Sequence, residues 1–401
     1  MKPKTYMPAL TGIRAIAAYL VFFHHNNRGL FPASVNRLFW ELHIGVNIFF
    51  VLSGFLIYYR YFSNVELHRQ WLGQYFINRV ARIYPVYFIL TIVTFCFGDI
   101  IAKTTPFMYG NYANHFKLFL LNITFLKGFF YYLNFTGIAQ SWTLTVEECF
   151  YLLAPLLFII IKKDKKALIW LPVIITIAGL GLVALLGDYR DRTHGLYGNN
   201  IFMFLFTFNG TCCEFFIGMA LANIILKSDN TPRKKPYFTF AGIFIMLLSL
   251  AILCSFKQTD AIITGAYHPL GTLTDHLLLP IGISALFYGL IKEKSFVRRF
   301  LSTRLMELLG KSSYAFYLIH VGIISVLIGP YVEKIINSIL ADHAVFGEVV
   351  RIAIMFVILN VIAIIIFKAI EEPLNNSIKS YFKRRTGKHK KITGIAILHK
   401  G

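Results

Sequence analysis

An arginine and two histidines interrupt the first apolar run of the sequence, PALTGIRAIAAYLVFFHHNN over residues 8–27. A charged side chain at the centre of a membrane helix costs about 2.5–3.5 kcal/mol, so Arg14 requires a partner or a watery cavity, and either implies an inward-facing site. Arg14 and His25 are eleven residues apart. That is about three helical turns, which puts both on one helical face about 16 Å apart along the axis. His24 is rotated from Arg14 by about 80° and faces elsewhere. One wall of one helix therefore presents a cation near its start and a titratable imidazole near its end.

Four further motifs place polar groups against apolar sequence. In NRVARIYP, residues 78–85, Arg79 and Arg82 stand one turn apart. Such a pair either snorkels to lipid headgroups or forms a fork for phosphates, for which guanidinium supplies bidentate contacts. With Arg14, three cations could then converge on one anionic ligand. SWTLTVEECFYLLAP, residues 141–155, carries Glu147 and Glu148 inside apolar sequence. They lie about 100° apart, so at most one faces His25 squarely, and the pattern alone does not choose between them or exclude a carboxylate reaching out to headgroups. KSSYAFYLIHVG, residues 311–322, sets His320 in mid-span with Tyr317 one turn before it, which suits a hydrogen-bonded structural histidine as well as a site residue. In GVNIFFVLSGFLIYYRYF, residues 45–62, Ser53 and Gly54 read as close helix packing. His24, His25, His43 and His320 contain no i,i+4 pair and no thiolate cluster accompanies them, so no metal site is expected. No Walker loop, GxSxG elbow or dinucleotide fingerprint occurs, which leaves ATP hydrolysis and elbow-type nucleophiles without support.

The elements that must position these residues are membrane helices. Of 401 residues, 57% are hydrophobic and only 15% charged, which excludes a soluble enzyme. Runs long enough to cross the bilayer occupy 8–27, 42–62, 83–101, 142–162, 166–187, 200–227, 237–256, 273–291, 310–328 and 347–370. The predicted fold is all-α: a polytopic bundle of about ten transmembrane helices. Lys and Arg outnumber Asp and Glu by 40 to 19, but the excess sits in short loops and the tail, which is a topology signal rather than a nucleic-acid surface. The turns carrying Lys162, Lys163, Lys165 and Lys166, then Lys227, Arg233, Lys234 and Lys235, then Lys292, Lys294, Arg298, Arg299 and Arg304 alternate with the balanced connections 188–199, 257–272 and 329–346. The positive-inside rule puts the basic set and both termini in the cytoplasm, provided that 116–134 does not span and 99–141 is external. That external stretch is rich in Tyr, Phe and Asn, including YGNYAN at 109–114, which suits either a sugar or an interfacial aromatic belt. Residues 1–375 form one transmembrane domain, and 376–401 a basic cytoplasmic tail against anionic membrane lipids. The five cysteines lie in apolar segments and read as small buried hydrophobes. Lys2 and Lys4 precede the first run, but Arg14 interrupts it and no cleavage motif follows, so it reads as retained.

In this order the motifs resemble the acyltransferase-3 family of integral-membrane O-acyltransferases, which modify bacterial cell-surface sugars. The match rests on LTGIRAIAAYLVFFHH at 10–25, GVNIFFVLSGFLI at 45–57, NRVARIYPVYF at 78–88, SWTLTVEECFYL at 141–152 and SYAFYLIH at 313–320. The resemblance implies a bacterial plasma-membrane protein, an acyl-CoA donor (acetyl-CoA) on the cytoplasmic side, and a carbohydrate or glycan hydroxyl as acceptor outside. It assigns His25 as the essential histidine, Arg14 as its motif partner, Arg79 and Arg82 as the basic pair near the coenzyme, and Glu147 rather than Glu148 as the motif acid. Many members append an SGNH-type domain that completes transfer, whereas this sequence ends in a short basic tail, so a separate extracytoplasmic partner acyltransferase is one expected route. A sugar hydroxyl is a poor nucleophile, and His25 is the natural base to take its proton during attack on a thioester. Glu147 would orient that ring as the acid of a triad does, with an acyl-histidine intermediate as the variant route. The competing class is a transporter or flippase for an anionic lipid or sugar, which would also require an Arg-lined, His-bearing path.

Overall fold

Polar backbone cannot face hydrocarbon unpaired, so the chain closes its hydrogen bonds within helices. A computed structural model describes residues 6–97, 114–229, 231, 233–257, 264–340 and 344–384. Among these residues the regular structure is helical, and extended pairing is confined to isolated bridges such as Phe130 with Leu196. In chain order the helices are α1 (Pro8–His25), α2 (Ala33–Glu41), α3 (Gly45–Tyr61), α4 (Arg69–Cys96), α5 (His115–Ile123), α6 (Trp142–Lys163), α7 (Ala167–Leu186), α8 (Asn200–Phe206) and α9 (Phe208–Lys227). There follow α10 (Tyr237–Ser255), α11 (Pro269–Leu273), α12 (Leu279–Lys292), α13 (Phe296–Leu301), α14 (Arg304–Ile319), α15 (Ile323–Leu340) and α16 (Ala344–Ile366). The last helix runs on through a wide turn at Phe367–Glu371 as far as Arg384.

Nine helices among the described residues are long and apolar enough to cross a membrane. The peripheral ones bear an apolar coat, with Ile169, Val173, Ile177 and Leu185 on α7 and Val357, Val361 and Ile365 on α16 all exposed. A soluble protein does not carry such a belt; in a bilayer it is the lipid-facing surface. The chain is an integral membrane protein, all-helical as its composition requires. α1 and α14 fall outside the nine. α14 has only 16 residues, and α1 carries Arg14, His24 and His25.

Small residues set the central contacts. A Cβ on Gly310 would meet the backbone carbonyl of Thr11, which closes α14 onto α1. Gly54 and Gly218 face the Phe215 and Val51 carbonyls in the same way, closing α3 onto α9. Aromatic rings fill the space above: Tyr19 and Phe22 of α1 meet Phe316 of α14 and Phe356 of α16 with centroids 4.6–5.7 Å apart. At the far end of α1, Arg351 donates to the Asn26 carbonyl at 2.8 Å and pairs with Glu348 at 2.7 Å, both side chains being nearly buried.

Three boundaries differ from the sequence expectation. The run 83–101 begins earlier: α4 is continuous from Arg69 through Pro85, because its first turns are amphipathic and hide in a hydropathy average. The run 310–328 is not one span. It breaks at His320–Gly322, and part of the connection read at 329–346 is helix α15. Unbroken apolar sequence conceals the turn, while Pro330, Glu333 and Lys334 conceal the helix that follows. Its start packs among Leu118, Leu133 and Val93, Arg28 binds Glu333 at 3.0 Å, and Ile336 faces Gly347 so closely that a Cβ there would lie 3.3 Å from it. Both ends of α15 thus lie at the end of the bundle where α1 finishes. Of the cysteines, only Cys212 is buried and Cys96 is exposed, since apolar neighbours in sequence include lipid-facing ones. Most of YGNYAN and the tail beyond Arg384 lie outside the described residues.

Candidate active site

Where α1, α3, α4, α6 and α14 meet, they enclose a cavity of about 490 Å³. Its wall takes Arg14 from α1, Ser53 and Arg60 from α3, Arg79 and Arg82 from α4, Thr143, Glu147 and Tyr151 from α6, and Lys311, Tyr314 and Tyr317 from α14. Among the described residues five cationic side chains therefore share the wall with one carboxylate, a charge balance that favours an anion. The charge is not spread evenly. Along α3 the lining runs from Val46 to Arg60, about 21 Å of helix. Arg60, Arg79, Arg82 and Lys311 crowd one end, while Val46, Phe49, Thr143 and Tyr317 close the other.

Each of these groups is held. Arg79 is 7% exposed, with its guanidinium 5.6 Å from the ring centroids of both Tyr61 and Tyr151, and it donates to the Tyr61 hydroxyl at 3.3 Å. Among the described residues its Nε has no hydrogen-bond partner. A buried donor left open beside a cavity is a place for a ligand oxygen. Glu147 accepts hydrogen bonds from the Ser53 and Tyr151 hydroxyls. Glu148 does not line the cavity. Ser53, read from sequence as packing, thus lines the cavity and holds Glu147, whereas its neighbour Gly54 does pack. Outside the membrane-spanning part of the wall, Tyr6 at the basic end donates to Glu307 at 2.9 Å.

At the closed end stands Tyr317, its hydroxyl 3.1 Å from that of Thr143 and its ring edge-on to Phe49 with centroids 5.8 Å apart. Beyond it lie the two histidines. His320 Nε2 is 3.1 Å from His25 Nδ1. His320 is buried at 1% exposure, whereas His25 is exposed. His24 turns the other way, with Nδ1 donating to the Trp40 carbonyl at 2.8 Å, as the helical rotation requires.

Of the residues singled out by sequence, the structure brings Arg14, Arg79, Arg82, Glu147 and Tyr317 around one cavity and pairs His25 with His320 behind Tyr317. It does not place Glu147 against His25; the ring bonded there is His320. Arg60, Lys311, Ser53 and Tyr151 were missed. Arg60 and Lys311 carry the sequence signature of ordinary helix-end cations, and only the convergence of α3 with α14 reveals a shared wall. Among the described residues no group of three or more His, Cys, Asp and Glu side chains is arranged to hold a metal ion.

The chain is similar to the peptidoglycan O-acetyltransferase OatA of Listeria monocytogenes, with 26% identity over 95% of this chain and 58% of that protein. It is also similar to the putative peptidoglycan O-acetyltransferase YrhL of Bacillus subtilis, at 25% identity over 96% of this chain and 57% of the other. A putative O-acetyltransferase of Staphylococcus aureus strain MSSA476 matches at 23% over 83% and 53%. The chain spans little more than half the length of these relatives. No solved structure matches it. The acyltransferase domain described for the acyltransferase-3 family matches residues 7–368, every helix of the cavity included, and the chain belongs to that family.

Proposed function

We propose that the protein is a membrane O-acyltransferase that carries an acetyl group from acetyl-CoA on the cytoplasmic side to a hydroxyl of a glycan outside. The observation that carries the reading is the polarised cavity: a cationic end for the coenzyme phosphates, then a less charged wall continuing along about 21 Å of α3, which suits an extended pantetheine arm. Its donor is acetyl-CoA because the match is to O-acetyltransferases, and its acceptor is a glycan because two of the relatives are named for peptidoglycan. An extracytoplasmic partner acyltransferase is the other acceptor this reading admits. The basic loops 162–166, 227–235 and 292–304 support an orientation with the cationic end of the cavity and both termini in the cytoplasm of a bacterial plasma membrane.

In this reading Arg14, Arg79 and Arg82 neutralise phosphate, helped by Arg60 and Lys311, and the thioester reaches the closed end beside Thr143 and Tyr317. His25, exposed on the far side, takes the proton of the acceptor hydroxyl. The oxygen attacks the thioester carbonyl carbon, the C–O bond forms, the C–S bond breaks with its electron pair on sulfur, and the thiolate takes up a proton. Glu147, held by Ser53 and Tyr151, lies among the cations and balances their charge near the thioester.

The test is purified protein in lipid with acetyl-CoA, assayed for free thiol with and without a glycan acceptor. Acceptor-dependent thiol release is expected. A protein that moves an anionic lipid or sugar without chemistry releases none, and that outcome overturns the reading.

A further inference from the structure

Resting on that reading, we infer that His320 is a positioning residue of the reaction. Together with the Val21 carbonyl it keeps the His25 proton on Nδ1 and the lone pair on Nε2, and as the acceptor at Nδ1 it stabilises the charge when Nε2 is protonated.

A carbonyl oxygen can only accept a hydrogen bond. The Tyr317 carbonyl lies 2.7 Å from His320 Nδ1, so that nitrogen bears the proton and His320 Nε2 is the acceptor of the neutral ring. The Val21 carbonyl lies 2.9 Å from His25 Nδ1, so this nitrogen also bears its proton. It shares that proton with His320 Nε2 at 3.1 Å. Two carbonyls on different helices therefore impose one polarity on the pair, and the assignment does not depend on seeing hydrogens. Gln140 holds the arrangement from behind, its amide donating to the same Tyr317 carbonyl at 2.7 Å and to that of Leu318 at 2.9 Å. What remains on His25 is Nε2, to which no described residue is hydrogen-bonded.

This is the role that a carboxylate plays in a serine hydrolase triad, filled here by a neutral ring. When Nε2 takes the hydroxyl proton, the Nδ1–H becomes part of a cation, and its bond to His320 strengthens because hydrogen bonds from ionised donors are about twice as strong as neutral ones. The break in the chain at His320–Gly322 acquires a purpose. It comes after His320, whose backbone is still helical and whose N–H donates to the Phe316 carbonyl at 3.1 Å, so the last turn of α14 sets the ring and the Tyr317 and Leu318 carbonyls are left to the Gln140 amide.

The experiment compares His320→Ala with His320→Gln in the full-length protein in lipid. Glutamine can accept from His25 Nδ1 through Oε1 and donate to the Tyr317 carbonyl through its amide. His320→Ala is expected to lower kcat about 10- to 100-fold while the KM for acetyl-CoA stays within twofold. His320→Gln should recover most of the loss. A second readout needs no turnover: the rate at which diethyl pyrocarbonate modifies His25 at fixed pH, followed by mass spectrometry. It should fall severalfold in His320→Ala and be restored in His320→Gln, because a bound Nδ1–H makes Nε2 the more nucleophilic nitrogen. Equal modification of His25 in all three proteins overturns the inference, as does an alanine variant with unchanged kcat. A loss that glutamine fails to rescue, with lowered melting temperature, assigns His320 to packing alone. Absence of thiol release from the wild type would sink the acyltransferase reading, while the modification rates would still decide the role of His320.

Discussion

At the scale of single residues, the arginines and histidines make distinct demands. Arg79 is clamped between the Tyr61 and Tyr151 rings, its Nε unpartnered among the described residues, so Arg79→Lys should weaken coenzyme A binding about tenfold although the charge is kept, since an ammonium has neither the planar stack nor the fixed fork of donors. Titration of coenzyme A against the purified variant measures this; unchanged Kd would return the pair to headgroup anchoring. His25→Ala should cut turnover by about 10²–10⁴-fold with expression preserved, whereas His24→Ala, whose ring serves Trp40, should keep most of it. An inactive His24→Ala beside an active His25→Ala would refute the assignment. How far such residues were legible depends on range. The Arg14 and His25 spacing lies within one helix and could be counted from the sequence. The bond between His25 and His320 joins positions 295 apart in sequence and exists only once α14 packs on α1. Glu147 was visible as an acid inside apolar sequence, but its partners Ser53 and Tyr151 look like packing residues until α3 and α6 are placed side by side.

At the scale of elements, the site depends on how closely three helices approach and how firmly their ends are pinned. Gly310→Val would drive a side chain into the Thr11 carbonyl and pry α14 from α1. Overpacking of this kind costs about 1–3 kcal/mol or more, and the variant should lose several degrees of thermal stability in detergent together with its activity. A variant melting like wild type would show that α1 and α14 tolerate separation. Arg351→Met removes one partner of a nearly buried ion pair and releases the Asn26 carbonyl next to His25. A cost of about 3–5 kcal/mol is expected, read as a drop in melting temperature, with Glu348→Gln milder because the arginine keeps its backbone acceptor. In the connection between α5 and α6, the fully buried Lys127 ammonium donates to the Thr136 and Ile138 carbonyls, and burial holds its pKa well below the usual lysine value. With the folded value below the unfolded one, the unfolded chain binds the extra proton between the two. This connection should therefore grow more stable as pH rises toward the ordinary lysine range, and Lys127→Met should flatten that slope in pH-dependent melting. A slope unchanged by the substitution would place its origin elsewhere. Hydropathy located most helices correctly because each is a continuous apolar run. It failed at His320–Gly322, where a backbone turn is satisfied by a side chain and leaves no mark on composition.

At the scale of the whole molecule, the formal charge of +21 is laid out as an orientation signal, with clusters at 162–166, 227–235 and 292–304. If the proposed orientation holds, a cysteine at Asp164 in a background lacking Cys96 should resist a membrane-impermeant reagent in intact cells, while one at the exposed Tyr132 should react. The reverse pattern would invert the bundle and with it the sides assigned to donor and acceptor. The all-helical class was legible because 57% apolar content admits no other solvent than lipid. What the sequence could not convey is that α1 and α14, which carry His25 and His320, pack directly against each other.

The Tyr317 partition has an electrical consequence. The His320 Nδ1 proton is committed to the Tyr317 carbonyl, so among the described residues the histidine pair offers no onward relay from His25 toward the cavity, whereas His25 itself is exposed. In the proposed orientation each transfer then leaves a negative thiolate on the cytoplasmic side and delivers the hydroxyl proton to the exterior. Turnover separates charge against a membrane that is negative inside, at a cost of up to about 2.3 kcal/mol per 100 mV for a full crossing. Sealed vesicles loaded with acetyl-CoA and given an inside-negative potential should acetylate an external acceptor more slowly than depolarised ones. A rate indifferent to voltage would mean that the proton returns inward past Tyr317, making each turnover an electroneutral exchange of acetyl for proton.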